Sequence, residues 1–221
     1  SLTLPGLINY FQDCSTFQSE EEGLGIEVLK EWKRFWVLSA WQVIVERYPS
    51  LGEEIRTCTW AYGFRSFLGM RNFCMETKNG ERIAYANTYW TYINAENGFP
   101  AKLTERDTKG YELEEKLEMN YAPRKIVLPK EYEKQESFSI QKHHLDTNHH
   151  VNNCQYVQMA MDYLPEDYRI YQMRAEYKQQ AKLHDIVYPG KSRTDNTTTI
   201  LLNDQTDNPY AVVEFIQKTQ N

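Results

Sequence analysis

The sequence predicts an α+β chain of two tandem units, each an antiparallel sheet wrapped around a long central helix. Three observations carry that expectation. Two stretches, residues 4–20 and 152–164, repeat apolar side chains at helical spacing. Each is followed by a run of segments that alternate in the manner of strands. Between the two series lies a stretch punctuated by Gly98, Pro100, Gly110, Pro123 and Pro129, the only convincing linker. It places the division near residue 130, giving units 1–130 and 131–221.

The elements follow in order. Thr3 is placed to cap a helix with Pro5 in its first turn, and Leu4, Leu7, Ile8, Phe11, Cys14 and Phe17 recur every three or four residues. A short helical turn is expected at 26–33. Strands are expected at 34–48, 53–63, 67–77 and 82–94, with a hairpin at Lys78-Asn79-Gly80-Glu81. Both faces of 82–94 are apolar or aromatic, which predicts a central strand. A charged helix is expected at 111–119. In the second half the pattern gives a strand at 136–144, the helix at 152–164, and strands at 169–182, 184–195, 197–203 and 210–218, with Pro189-Gly190 interrupting the second. The chain opens directly on a helix, so a leading strand is expected upstream.

Composition narrows the function. With 16 Tyr and 5 Trp the chain favours strands. A net charge of −6 argues against a broad nucleic-acid surface. No apolar run approaches the ~20 residues a membrane span needs, and no signal or transit pattern is visible. Cys14, Cys58, Cys74 and Cys154 are dispersed without a CxxC pair, as expected of reduced thiols in a cytoplasmic protein.

The chemistry concentrates at residues 143–156. Four of the five histidines, His143, His144, His149 and His150, lie there. Asp146, Asn148 and His150 alternate, so an extended chain would turn all three to one side, directly ahead of the apolar helix. Three readings compete. Metal binding is prompted by the histidine density, but no HExxH, Cys pair or second acidic cluster completes a ligand set; no metal or other cofactor is expected. A structural reading makes Asn152 or Asn153 the helix cap, Asp146 a turn acceptor and the other histidines surface residues. Hydrolysis uses the carboxylate and imidazole to activate water or form a covalent intermediate, with the first helix amides stabilising an oxyanion. No Gly-x-Ser-x-Gly element supplies a serine nucleophile, and Cys154 falls on the apolar side of the helix pattern.

The run Asp146-x-Asn148-x-His150-Val151-Asn152-Asn153-x-x-Tyr156 resembles the signature of the acyl-ACP thioesterases, a family of two tandem hotdog domains. Val45-x-Arg47-Tyr48-Pro49, Gly69-Met70-Arg71-x-Phe73, Tyr89-Trp90-Thr91 and Glu176-Tyr177-Lys178 are similar to other stretches of that family, so the likeness covers nearly the whole chain. The resemblance implies hydrolysis of the thioester between a fatty acyl chain and acyl carrier protein, releasing free fatty acid in fatty acid biosynthesis. It implies catalytic roles for Asp146, Asn148 and His150. Plant members carry Glu-Cys where this chain has Gln180-Ala181. A catalytic cysteine there is therefore excluded, and Gln180 can position water or His150 but cannot act as a base.

The second unit would then hold the catalytic residues and the first the acyl chain, lined by Phe11, Trp60, Phe67, Phe73 and Trp90. Acyl carrier protein is the expected partner. It is acidic, so Lys30, Lys33, Arg34, Arg65, Arg71, Lys125 and Lys178 are candidates for a docking patch. An acyl-CoA thioesterase, or a hydratase acting on enoyl thioesters, is the rival enzyme; a non-enzymatic acyl-chain binder is the third option. A homodimer is compatible with the sequence, which does not fix the oligomeric state.

Overall fold

The computed structural model describes residues 1–146 and 149–218. The chain divides into two compact units, Ser1–Ala122 and Pro123–Asn221.

The first unit opens with helix α1, Leu4–Glu21. The Thr3 hydroxyl accepts from the Gly6 amide and Pro5 occupies the first turn, so the start is fixed as the sequence predicts. Leu4, Leu7, Ile8 and Phe11 form its buried stripe. A short helix α2, Ile26–Glu31, leads into four antiparallel strands: β1, Arg34–Val45; β2, Ile55–Arg65; β3, Leu68–Thr77; and β4, Arg82–Asn94. Strand β4 pairs with both β1 and β3, and β3 pairs with β2. The central position predicted for 82–94 is therefore observed. The β3–β4 turn needs a left-handed residue, and Gly80 supplies it at φ +82°. Phe11 of α1 stacks on Phe73 of β3 at 5.2 Å and on Trp41 of β1 at 6.2 Å, and all three rings are buried. That aromatic cluster seats the helix on the sheet.

The helix expected at 111–119 does not form. The only helical turn in this region is α3, Glu105–Thr108, closed by a capping box between Thr104 and Asp107. Beyond it the chain runs as a strap along β2. The Glu114 amide donates to the Ala61 carbonyl, the Trp60 indole donates to the Glu115 carbonyl, and the Leu117 amide donates to Asn72 Oδ1. Backbone groups that a helix would pair internally are taken by the sheet, so tertiary contacts override local propensity. Arg71 is also displaced from its expected surface role. It is buried, its guanidinium donating to Gln18 and Thr59 and lying over the Tyr111 ring.

In the second unit the strap from Pro123 is tied to its own sheet. The Ile126 amide donates to the Glu176 carboxylate, and Arg174 donates to the carbonyls of Pro123 and Lys125. A short strand β5, Glu133–Lys134, precedes the strand expected at 136–144, of which only β6, Phe138–Ser139, forms, followed by a 3₁₀ turn at Lys142–His144. Both short strands pair with β8, Ile186–Thr194. Between them the Gln135 amide donates to the Pro189 carbonyl, while Pro189 has no N–H to return. Strand β8 itself continues through Pro189-Gly190, because its other edge pairs with β9, Thr197–Asn203, from Tyr188 to Thr194. A glycine is required at 190: a Cβ there would meet the Tyr132 ring at 2.4 Å.

Helix α4 is Asn153–Met161, shorter than the 152–164 expected. It ends in turns from Tyr163 and Leu164 back to Ala160 and Met161, ahead of Pro165. Strands β7, Ile170–Tyr177, and β10, Pro209–Gln217, complete the sheet, β10 lying between β7 and β9. Among the described residues no helix is long and apolar enough to cross a membrane.

Candidate active site

The segment ahead of α4 is a closed reversal rather than an extended strand. Leu145 bridges Val151. The Asp146 amide donates to the His150 carbonyl at 2.8 Å, and the His150 amide donates to Asp146 Oδ1 at 3.1 Å. His149 closes the turn in the left-handed region at φ +61°, its amide donating to the Asp146 carbonyl. Asp146 and His150 thus meet because the chain folds back, not because alternate residues share a side. Both are half-buried, whereas His149 is exposed. Asn148 lies outside the described residues.

The flanks of this turn are pinned from several directions. The Asn152 amide donates to the His144 carbonyl, and the Asn152 side chain accepts from the Cys154 amide as the helix cap. The Gln155 amide donates to the Asn152 carbonyl. Two of the amides expected to serve as oxyanion donors are therefore consumed by the cap. The N–H of Asn153 is the one in that first turn without an acceptor among the described residues. His144 is structural: its Nδ1 accepts from the Gln141 amide, and burial, with His143 beside it, pushes its pKa down. Among the described residues no three His, Cys, Asp or Glu side chains gather in a way that holds a metal ion.

Two tyrosines that the sequence left without a role hold the start of α4. Tyr177 on β7 donates its hydroxyl to the Asn153 carbonyl at 2.9 Å. Tyr156 accepts from the Ala181 amide at 2.9 Å, and the two rings lie 5.9 Å apart. Burial raises the pKa of Tyr156 to about 12 and that of Tyr177 well above the usual phenol value, so both stay protonated. A buried tyrosine needs a partner for its hydroxyl, which was the available signal; which backbone group it meets is set by the fold. Cys154 is buried and its thiol is pushed up to about 11 by that burial, which makes it a core residue with little thiolate. Gln180 is exposed, yet the next residue, Ala181, is fully buried and its carbonyl accepts from the Val151 amide at 3.5 Å. The backbone at 180–181 is thereby brought against the end of the motif.

This arrangement can be set beside known proteins. The model of the acyl-ACP thioesterase N-terminal domain matches residues 1–111, and that of the C-terminal domain matches residues 128–214. The chain belongs to the acyl-ACP thioesterase family. A chloroplastic palmitoyl-acyl carrier protein thioesterase of Gossypium hirsutum is 25% identical over 235 residues, covering 95% of this chain and 53% of that protein. The chain thus spans about half the length of that curated relative, and less of an acyl-[acyl-carrier-protein] hydrolase of Cuphea viscosissima (23% identical, 69% of this chain, 39% of that protein). The crystal structure of an acyl-ACP thioesterase from Bacteroides thetaiotaomicron superposes with a TM-score of 0.89 at 23% identity, covering 98% of this chain and 90% of that one. A 12:0-ACP thioesterase from Umbellularia californica gives 0.85 at 16% identity, covering 99% and 90%. These structures establish the fold: each unit is a hotdog domain.

Proposed function

We propose that this chain hydrolyses the thioester of a fatty acyl chain carried on acyl carrier protein, releasing the free acid within fatty acid biosynthesis. The observation that carries the reading is the closed Asp146–His150 turn at the head of α4. It holds a carboxylate and an imidazole-bearing residue within one reversal, beside a helix start whose Asn153 amide has no acceptor among the described residues. Asp146, or a water it shares with His150, attacks the thioester carbonyl. Asn148 and His150 hold the reacting group, and the Asn153 N–H faces the charge that develops on the carbonyl oxygen. The thiol of the carrier arm leaves as the C–S bond breaks. Gln180 orients water or His150 by hydrogen bonding.

The second unit is assigned the chemistry and the first the acyl chain. Of the aromatic residues expected to line an acyl site, Phe11 and Phe73 are buried together with Trp41, and Phe67 is at the surface. The Trp60 and Trp90 indoles instead donate to the Glu115 carbonyl and the Thr88 hydroxyl. For the carrier protein, Lys30, Lys33, Arg65, Lys125 and Lys178 remain exposed, Arg34 is half-buried, and buried Arg71 drops out. A cytoplasmic location is proposed from the dispersed free thiols.

Turnover measured side by side on acyl-ACP, acyl-CoA and enoyl thioesters tests the reading. Hydrolysis of acyl-ACP at the highest kcat/KM is expected. Faster acyl-CoA cleavage, or hydration without hydrolysis, would replace it with the corresponding rival activity.

A further inference from the structure

Two of the four free cysteines stand directly opposite one another. In the β2–β3 ladder Cys58 pairs with Cys74. Opposite residues in an antiparallel pair point to the same face of the sheet. The face is also fixed. Phe73 and its partner Thr59 lie on the α1 side, since Phe73 stacks on Phe11 and Arg71 joins Thr59 to Gln18 of α1. Cys58 and Cys74, each one residue away, therefore turn to the other side. Cys14 sits on α1 at the outer edge of β2, its thiol donating to the Thr57 carbonyl at 3.6 Å, and is not paired with either cysteine in the ladder. Cys154 lies in the second unit.

The hydrogen-bonding parity of the pair follows from neighbouring contacts. The Lys78 amide donates to the Glu54 carbonyl, so positions 54 and 78 are a hydrogen-bonded pair. With the register unbroken from there to Ala61, position 58 with 74 is hydrogen-bonded as well. The carbonyls of Thr57 and Ala61, by contrast, accept from Cys14 and Glu114 outside the ladder. In a hydrogen-bonded antiparallel pair the Cα atoms lie about 5.5 Å apart, within the span a disulfide bridges. Their Cβ atoms, at about 4.5–5.5 Å, must draw closer than the ladder holds them. A bond made there is strained, and strained disulfides are the ones most readily reduced.

We propose that Cys58 and Cys74 form a reversible redox site, closing to a strained cross-strand disulfide under glutathione disulfide and reopening under reduced glutathione. Cys58 is half-buried and Cys74 buried. Burial, then the neighbouring Cys58 and Glu76, push the Cys74 thiol up to about 12. Cys58 is therefore the thiol that meets the oxidant. Its thiolate attacks one sulfur of glutathione disulfide and expels one glutathione thiolate. Cys74 then attacks Cys58 Sγ in the mixed disulfide, the second glutathione leaves, and its thiolate takes up the Cys74 proton. Two thiols and one glutathione disulfide give one protein disulfide and two glutathiones. The site does not depend on the thioesterase reading.

The test is equilibration of the folded protein in glutathione buffers of graded ratio, followed by acid quench, alkylation, trypsin and mass spectrometry. Circular dichroism taken before the quench monitors the fold. The expected product joins the peptide of residues 57–65 to that of residues 72–78, with Cys14 and Cys154 still alkylated, and the link disappears as reduced glutathione is restored. C74S should halt at a glutathione adduct on Cys58, and C58S should leave Cys74 free. A link from residues 1–30 to 57–65, a wild-type protein that stops at the Cys58 adduct, or four alkylated thiols at every ratio would each overturn the proposal.

Discussion

The two units carry the same sheet and different cargo. In the first the strands run β1-β4-β3-β2; in the second, position for position, β7-β10-β9-β8. These four strands follow their own helix in each unit. Yet α1 has 18 residues and α4 only 9. The long helix is anchored by the Phe11, Trp41 and Phe73 rings. The short one is anchored at its start, by Tyr177, Tyr156 and the Asn152 cap, immediately after the Asp146–His150 turn. Both helices bury an apolar stripe, and only the second starts directly behind a turn that carries a carboxylate and an imidazole.

Substitution at the turn breaks this contrast most sharply. Asp146→Asn and His150→Ala should each lower turnover by about 10²–10⁴-fold, the usual contribution of a positioned acid–base group, with an unchanged circular dichroism spectrum. Wild-type turnover in either variant would remove the second unit from the chemistry. Next in size is the aromatic anchor of the first unit. Phe73→Ala opens a cavity beneath α1 and should cost about 3–5 kcal/mol in urea unfolding. A loss under about 1 kcal/mol would mean that the cluster is not what seats the helix.

The caps allow the two helices to be compared by one kind of change. Thr3→Ala and Asn152→Ala each remove a side-chain acceptor from a first-turn amide, worth about 1 kcal/mol of stability. Their effects on catalysis should differ. Thr3 belongs to the first unit, to which no catalytic residue is assigned, so its loss should leave kcat unchanged. Asn152 stands two residues after His150, and its loss frees the Cys154 amide and loosens the approach from His150. Expected is a fall in kcat without a matching rise in KM. Equal kinetic effects from the two substitutions would show that helix stability alone sets the rate.

Much of this architecture is legible in the sequence because it rests on local rules. The Thr3 cap, the stripe from Leu4 to Phe11, the Gly80 turn and the two-faced β4 each follow from spacing and residue type. What escaped was decided by partners far along the chain. Residues 111–119 carry helical residues, but their amides and carbonyls are claimed by Ala61, Trp60 and Asn72. Arg71 reads as a surface charge until Gln18, Thr59 and Tyr111 enclose it. At the site, Asp146 and His150 are visible as chemistry, whereas their approach depends on a left-handed His149 that spacing does not announce. The roles of Tyr156 and Tyr177 likewise need the strand and the helix to be brought together first.

The smallest expected effect concerns how each unit holds a half-buried carboxylate. Glu53 in the first is drawn down to about 2, chiefly by the Arg47 guanidinium, which also binds Glu81, and then by the Ser50 amide. Asp204 in the second is drawn down to about 2 by neutral donors, first the Thr206 hydroxyl and then Gln179, helped by the Thr206 and Asn208 amides. Both are carboxylates with depressed folded pKa values. Each therefore contributes stability that is present above the ordinary carboxylate range and is lost as the pH falls towards about 2. Glu53→Gln and Asp204→Asn should each flatten the acid limb of stability against pH over that window. Salt separates them. The Glu53 contribution arises from an opposite charge and should shrink as ionic strength rises and screens the pair. That of Asp204 arises from uncharged hydrogen-bond donors and should persist. Urea titrations of the two variants and the parent at low and high salt across the acid range read both effects, and an equally salt-sensitive Asp204 would mean that an ionic partner, not the turn, holds its charge.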